Sequence, residues 1–219
     1  MATACCGALD VAALGLTSGC AQLDDLIPFV LRASASAPHL NALVQSHAPT
    51  AKRLPREMSS FSVLFVCMGN ICRSPTAQGV FRQRIVQAGL TGRVYVDSAG
   101  THGSHKGERP DARAQAHAQQ RGYVLSDLRS RQVNESDFHT FNLLLAMDHA
   151  NLAYLQRCGP PQQQHRLRLL TDFHLRHNSP VIPDPYYGNA QGFNHVLDLI
   201  EDACDGLLAH VVQQLDTDM

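Results

Sequence analysis

The segment Phe61–Cys67 is apolar apart from Ser62, and it runs straight into Met68-Gly69-Asn70-Ile71-Cys72-Arg73-Ser74-Pro75. A strand this apolar is expected to be buried on both faces, as parallel strands inside α/β sheets are. Ser74 is a good helix N-cap and Pro75 suits the first helical position. The stretch therefore reads as buried strand, tight loop, helix, with the loop at the carboxyl end of the strand. In open α/β sheets that is where ligands bind.

The composition of the loop narrows the ligand to an oxyanion. Its backbone N–H groups and the dipole of the following helix converge on one point. Arg73 adds a planar fork that grips two oxygens of a phosphate. The same positive field favours the thiolate form of Cys67. A thiolate beneath a bound phosphate is a nucleophile aimed at phosphorus. Other readings fit less well. A buried structural cysteine at a strand end leaves Arg73 unexplained. Cys67 and Cys72 as metal ligands would need further ligands nearby, and none are close in sequence. The Gly-Lys-Ser/Thr ending of the nucleotide P-loop is absent.

Downstream, strand and helix patterns alternate. Helices are expected over 75–88, 110–121, 148–157 and 193–215, and further strands over 94–98, 141–147 and 166–170. This alternation implies right-handed crossovers and a parallel sheet covered on both faces. Residues 171–188 form a long proline-bearing loop, of a length that is usually functional. It contains Asp184-Pro185-Tyr186-Tyr187-Gly188.

Taken together, Cys67–Pro75, Asp97-Ser98-Ala99-Gly100-Thr101 and Asp184–Gly188 resemble, in order and rough spacing, three motifs of the low-molecular-weight protein tyrosine phosphatases. The resemblance extends from about Ser60 to the C-terminus. It implies a four-stranded parallel sheet of order 2-1-3-4, with helices on both faces in a three-layer αβα sandwich. It also implies a cysteine-dependent phosphatase acting on phosphotyrosine and small aryl phosphates through a phosphocysteine. Cys67 would be the nucleophile, Arg73 the phosphate clamp and Asp184 the proton donor. Met68, Gly69, Asn70, Ile71, Cys72 and Ser74 would complete the phosphate-binding loop. Asn70, a residue that tolerates positive φ, would be held by Ser74 and Ser98. Tyr186 and Tyr187 would form an aromatic wall. In the family the cysteine at the place of Cys72 can form a reversible disulfide with the nucleophile. No cofactor or metal is implied, since Arg73 and the loop amides balance the phosphate charge. Phosphotyrosine proteins are the implied partners, a tyrosine kinase of bacterial type among them.

Two positions depart from the family pattern. Ser104 lies near the place of a frequent aromatic on the opposite wall, where a neighbouring histidine could substitute. Leu128 lies near the place of a frequent histidine that helps support Asn70. Three other functions share the scaffold's logic. Arsenate reduction needs two more cysteines in a nearby segment, and Cys158 and Cys204 are far apart. A protein-arginine phosphatase carries threonine where this chain has Ile71. A non-catalytic phosphate binder would not need Cys67, Arg73 and Asp184 together.

Residues 1–57 form a separate, Ala/Ser/Leu-rich segment, and the phosphatase domain is expected over 58–219. A short helix over 24–31 is possible there, with Pro28, Pro38, Pro49 and Pro55 preventing a longer one. The first basic residue is Arg32, so no secretory n-region precedes the apolar part, and Asp10, Asp24 and Asp25 disfavour a transit peptide. Thr17–Cys20 has a trace of a lipoprotein box but no n-region. The segment is expected to be a disordered extension, or to precede a true start at Met58. The net charge of −1 gives no reason to expect nucleic acid or an anionic membrane as partner. Seven cysteines form no disulfide framework, and twelve scattered histidines form no ligand motif. A working thiolate needs a reducing compartment, so the cytoplasm is the expected location.

Overall fold

The computed structural model describes residues 61–217. The expectations for residues 1–57 lie outside the described residues. The first strand, β1 (Phe61–Cys67), is buried along its whole length. Its alternate residues enter two different cores. Val63, Phe65 and Cys67 face one, and Leu64 and Val66 face the other. Leu64, Phe65 and Val66 are each 0% exposed, and each such side chain contributes roughly 1.5–3 kcal/mol by leaving water.

β1 pairs in parallel with β2 (Val94–Gly100) on one side and β3 (Leu143–Ala146) on the other, and β3 pairs in parallel with β4 (Leu167–Leu169). The order is β2-β1-β3-β4, the 2-1-3-4 arrangement that the resemblance implies. The helices α1 (Arg73–Gln87), α2 (Ala112–Gln120) and α5 (Ala190–Thr217) build the core that receives Val63 and Phe65. On the opposite face, α3 (Glu135–Thr140) and α4 (His149–Cys158) pack Phe138 and Leu155 against Leu64, Val66 and Leu144.

Most boundaries fall within two residues of the sequence reading. Strand β3 starts two residues later than expected, because Phe141 turns into the core as the C-cap of α3 before pairing begins, and β4 is one residue shorter at each end. α5 begins three residues early and α1 two residues early. The N-cap of α1 is Cys72, not Ser74. Ser74 is already inside the helix, and its hydroxyl is turned down onto Cys67 instead of capping.

Helix α3 is absent from the sequence reading. Its single buried apolar residue, Phe138, gives no periodic pattern. Local polar bonds hold it, with the Asp137 carboxylate accepting from the Asn134 backbone N–H at 2.8 Å. The same carboxylate grips Arg131 at 2.8 Å. This fixes a segment that matters below, because Gly100 N–H donates to Arg131 O at 2.8 Å and Val133 N–H donates to Gly100 O at 2.9 Å.

Candidate active site

β1 ends at Cys67, and the chain curls through residues 68–72 before α1 begins. Two neighbours hold this loop. Beyond the end of β2, Thr101 N–H donates to Cys67 O at 2.8 Å and His102 N–H to Met68 O at 3.0 Å. Ser130 Oγ donates to Gly69 O at 3.0 Å. The approach is so close that a Cβ on Gly100 would lie 2.7 Å from Met68 O and 2.9 Å from His102 O. Only glycine fits there.

Asn70 is the only non-glycine residue with positive φ among the described residues, at 56°. It is 1% exposed, and its backbone N–H and both side-chain polar atoms are engaged. Its backbone N–H points at Cys67 Sγ, 3.3 Å away. Its Nδ2 donates to Ser74 Oγ at 2.9 Å and to Ser98 Oγ at 2.8 Å. Its Oδ1 accepts from Arg131 N–H at 2.9 Å. The support for Asn70 therefore survives the Leu128 departure, and Leu128 is packed into the core. Ser74 Oγ lies 3.0 Å from Cys67 Sγ. The Asn70 N–H and the Ser74 hydroxyl thus face the sulfur from below, and the first N–H groups of α1 have no intrahelical partner. The thiolate gains hydrogen bonds and the positive end of a helix.

Arg73 is 3% exposed and sits between two carboxylates. Its Nη1 donates to Asp148 Oδ2 at 2.6 Å and to Ile182 O at 3.1 Å, and its Nη2 donates to Asp184 Oδ2 at 2.8 Å. Burial works against its charge, but Cys67, Asp148 and Asp184 outweigh burial and hold its pKa above the ordinary value. In the sequence, Asp148 has the place of an N-cap for the helix expected over 148–157. It does cap α4, accepting from Asn151 N–H at 2.7 Å, while its other oxygen orients Arg73. Its place just past β3, at the same sheet end as Cys67, was the signal for this second role.

Asp184 is anchored from both sides. Its Oδ1 accepts from Tyr186 N–H at 3.1 Å, an Asx turn. The loop before it is tied down where Ile182 N–H donates to Met147 O at 2.7 Å. The Asp184 side chain stays 41% exposed.

These groups surround a cavity of about 410 Å³. Cys67, Met68, Gly69, Ile71, Cys72 and Arg73 form its floor, while Asp184, Tyr186 and Tyr187 form one wall. Asn70, Ser74 and Ser98 lie beneath it as support. Tyr186 is 38% exposed and Tyr187 95%. The other wall carries His102, Gly103, Ser104 and His105. His105 places its ring beside Gly69, with Cδ2 3.1 Å from where a Cβ would stand. Its Nδ1 is 2.8 Å from Glu108 Oε2. An imidazole thus stands close to where the aromatic residue was expected.

Burial above all, and then the fields of Asp111, Cys67 and Asp184, push the Cys72 thiol up to about 12. Cys72 is therefore a neutral thiol at neutral pH. Cys67, Cys72, Cys158 and Cys204 are all free. Among the described residues no three His, Cys, Asp or Glu side chains stand together in a way that could hold a metal ion.

The family model described as low molecular weight phosphotyrosine protein phosphatase matches residues 62–218. A low molecular weight protein-tyrosine-phosphatase of Streptomyces coelicolor is 42% identical over 160 residues, covering 72% of this chain and 97% of its own. A protein tyrosine phosphatase of Entamoeba histolytica, crystallised with Hepes in the active site, superposes with a TM-score of 0.69 at 39% identity, covering 71% of this chain and 99% of its own. The crystal structure of a Drosophila arginine phosphatase superposes with a TM-score of 0.64 at 33% identity, covering 68% and 97%.

Proposed function

The chain belongs to the low molecular weight phosphotyrosine protein phosphatase family, and from this premise we propose how its own residues carry out phosphotyrosine hydrolysis. Cys67 attacks phosphorus, forming the S–P bond while the bond from phosphorus to the tyrosine oxygen breaks. The departing oxygen takes its proton from the Asp184 carboxyl group. Water then attacks the phosphocysteine and gives a proton back to Asp184. The S–P bond breaks, and inorganic phosphate leaves. Arg73 and the loop amides carry the charge on the equatorial oxygens throughout.

The observation that carries this reading is the placement of three groups on one cavity. The sulfur of Cys67 is at its floor, with the Asn70 N–H and the Ser74 hydroxyl within 3.3 Å. The guanidinium of Arg73 lies alongside and reaches Asp184 at 2.8 Å. An arriving phosphate competes with Asp184 for Arg73. Binding the substrate thus frees the carboxyl group for proton transfer.

Aryl recognition rests on Tyr186 and Tyr187 facing the His105 wall. Ile71 on the floor, rather than threonine, favours an aryl neighbour over phosphoarginine. Cys158 is exposed and Cys204 is buried in the core, so neither offers the relay that arsenate reduction needs. The free thiols among the described residues fit a reducing compartment, the cytoplasm, where a bacterial-type tyrosine kinase would be among the substrates. No described helix is long and apolar enough to cross a membrane.

Cys67→Ser should abolish turnover while keeping vanadate binding. Substantial residual turnover would remove the covalent mechanism. Rates on phosphotyrosine peptide, aryl phosphate, phosphoarginine and arsenate, measured side by side, should rank the first two far above the others. Residues 1–57 are not needed for this reaction. A chain beginning at Met58 should keep full kcat/KM and its melting temperature, and a loss of either would show that the segment contributes.

A further inference from the structure

Gln78 lies one turn beyond Ser74 on α1 and is 2% exposed. Its side chain touches neither Cys67 nor the cavity. Its Oε1 accepts from Ser98 Oγ at 2.7 Å. Its Nε2 lies 3.4 Å from both Val96 O and Asp97 Oδ1. Two acceptors on that side fix which end of the amide faces Ser98.

That orientation fixes the Ser98 proton, and Arg131 N–H fixes the Asn70 amide; together they set the direction of the bonds from Gln78 to the sulfur. A serine hydroxyl has one proton. Ser98 gives its proton to Gln78, so only lone pairs of Ser98 remain for Asn70 Nδ2, 2.8 Å away. The other Nδ2 proton goes to Ser74 Oγ at 2.9 Å. The Asn70 amide cannot turn over, because Arg131 N–H occupies its oxygen at 2.9 Å. Ser74 therefore accepts from Asn70 and keeps its own proton to donate. Cys67 Sγ, at 3.0 Å, is nearer than Ala99 O, at 3.3 Å.

We infer that Gln78 is a positioning residue for the reaction: by holding the Ser98 proton it leaves Ser98 as a fixed acceptor for Asn70, whose amide, held also by Arg131 N–H, leaves the Ser74 hydroxyl free to donate to the Cys67 thiolate. The inference rests on Cys67 being the nucleophile. Without Gln78 the Ser98 proton has no fixed acceptor, the Asn70 amide loses one of its anchors, and the Ser74 proton is shared with Ala99 O. Hydrogen bonds to charged groups are the strong ones, so the thiolate loses stabilisation.

The test uses Gln78→Met, which keeps the side-chain length and removes the acceptor, and Gln78→Asn, which keeps the amide but draws it out of reach of Ser98. The second variant serves if the first does not fold. The readout is the rate of Cys67 alkylation by iodoacetamide as a function of pH, with Cys67 and the exposed Cys158 separated as peptides by mass spectrometry. Below the midpoint of the wild-type profile the rate at Cys67 should fall roughly 3–10-fold, with the midpoint moved to higher pH. The loss should be shared with Ser98→Ala, so that the double variant is no worse than the worse single one. An unchanged alkylation profile in a folded variant, or losses that multiply, would overturn the role of Gln78. Turnover that survives complete alkylation of Cys67 in the wild-type protein would instead overturn the reading of Cys67 as nucleophile.

Discussion

The two loops that meet at the cavity are built in opposite ways. In the phosphate loop, Asn70, Arg73 and Ser74 are 1%, 3% and 0% exposed, and the side-chain polar atoms of Asn70 are bonded to protein. The acid loop is held at a few points, chiefly Ile182 and the Asx turn of Asp184, and it ends in Tyr187, 95% exposed. The difference suits the chemistry proposed for each loop. A nucleophile and an oxyanion clamp act through preorganised dipoles, which lose their value if they must be rearranged during the reaction. A proton donor must release Arg73 when the phosphate arrives, admit a bulky aryl group, and later admit water. Arg73 joins the two loops, since its guanidinium belongs to the rigid loop and bonds both to Asp148, just past β3, and to Asp184 of the other loop.

The comparison is broken most severely by removing the proton while keeping the acid loop's shape. Asp184→Asn preserves the Asx turn, and its rate of phosphoenzyme formation on phosphotyrosine should fall by ~10²–10⁴. On a nitrophenyl phosphate, whose leaving group departs unaided, the fall should be much smaller. Single-turnover kinetics on both substrates checks this, and equal losses would mean that Asp184 only shapes the loop. Next comes the joint between the loops. Arg73→Lys keeps a charge but cannot hold Asp148 and phosphate at once with a planar fork. Its kcat/KM should fall roughly 10²–10³-fold, and a value near wild type would contradict the clamp. The smallest effect is expected at the wall. His105→Phe places an aromatic face opposite Tyr186, and KM for aryl phosphates should drop about 2–10-fold, in line with the worth of an aromatic pair. An unchanged KM would mean that His105 does not contact the ring.

What could be read in the sequence divides along the same line. Phe61–Cys67 was legible to the residue, because a strand buried on both faces leaves an unbroken apolar run. That Cys67, Arg73 and Asp184 line one cavity was legible because each sits in a short motif whose residue types the expected chemistry needs. The positive φ of Asn70 was legible for the same reason. Contacts that join segments distant in sequence were not. Asp148 was hidden because capping α4 already explained it, and nothing local links it to Arg73, 75 residues earlier. Gln78 looked like an ordinary helix residue until β2 brought Ser98 to it. Ser74 shows the converse error. Its propensity for an N-cap was real, but the hydroxyl gains more beside a buried sulfur than at a helix end.

The central claim is that a rigid loop forms a covalent bond to phosphorus which a separately anchored acid loop helps to make and to break. Rapid chemical quench of the Asp184→Asn protein with a nitrophenyl phosphate, whose leaving group needs no proton, followed by peptide mass spectrometry under conditions that preserve the S–P bond, tests it most directly. A phosphoryl group should appear on the peptide containing Cys67 at the rate of nitrophenol release and decay more slowly than in the wild-type protein. Steady release of phosphate with no phosphoryl group on Cys67 at any time, or with the group on another residue, would contradict it.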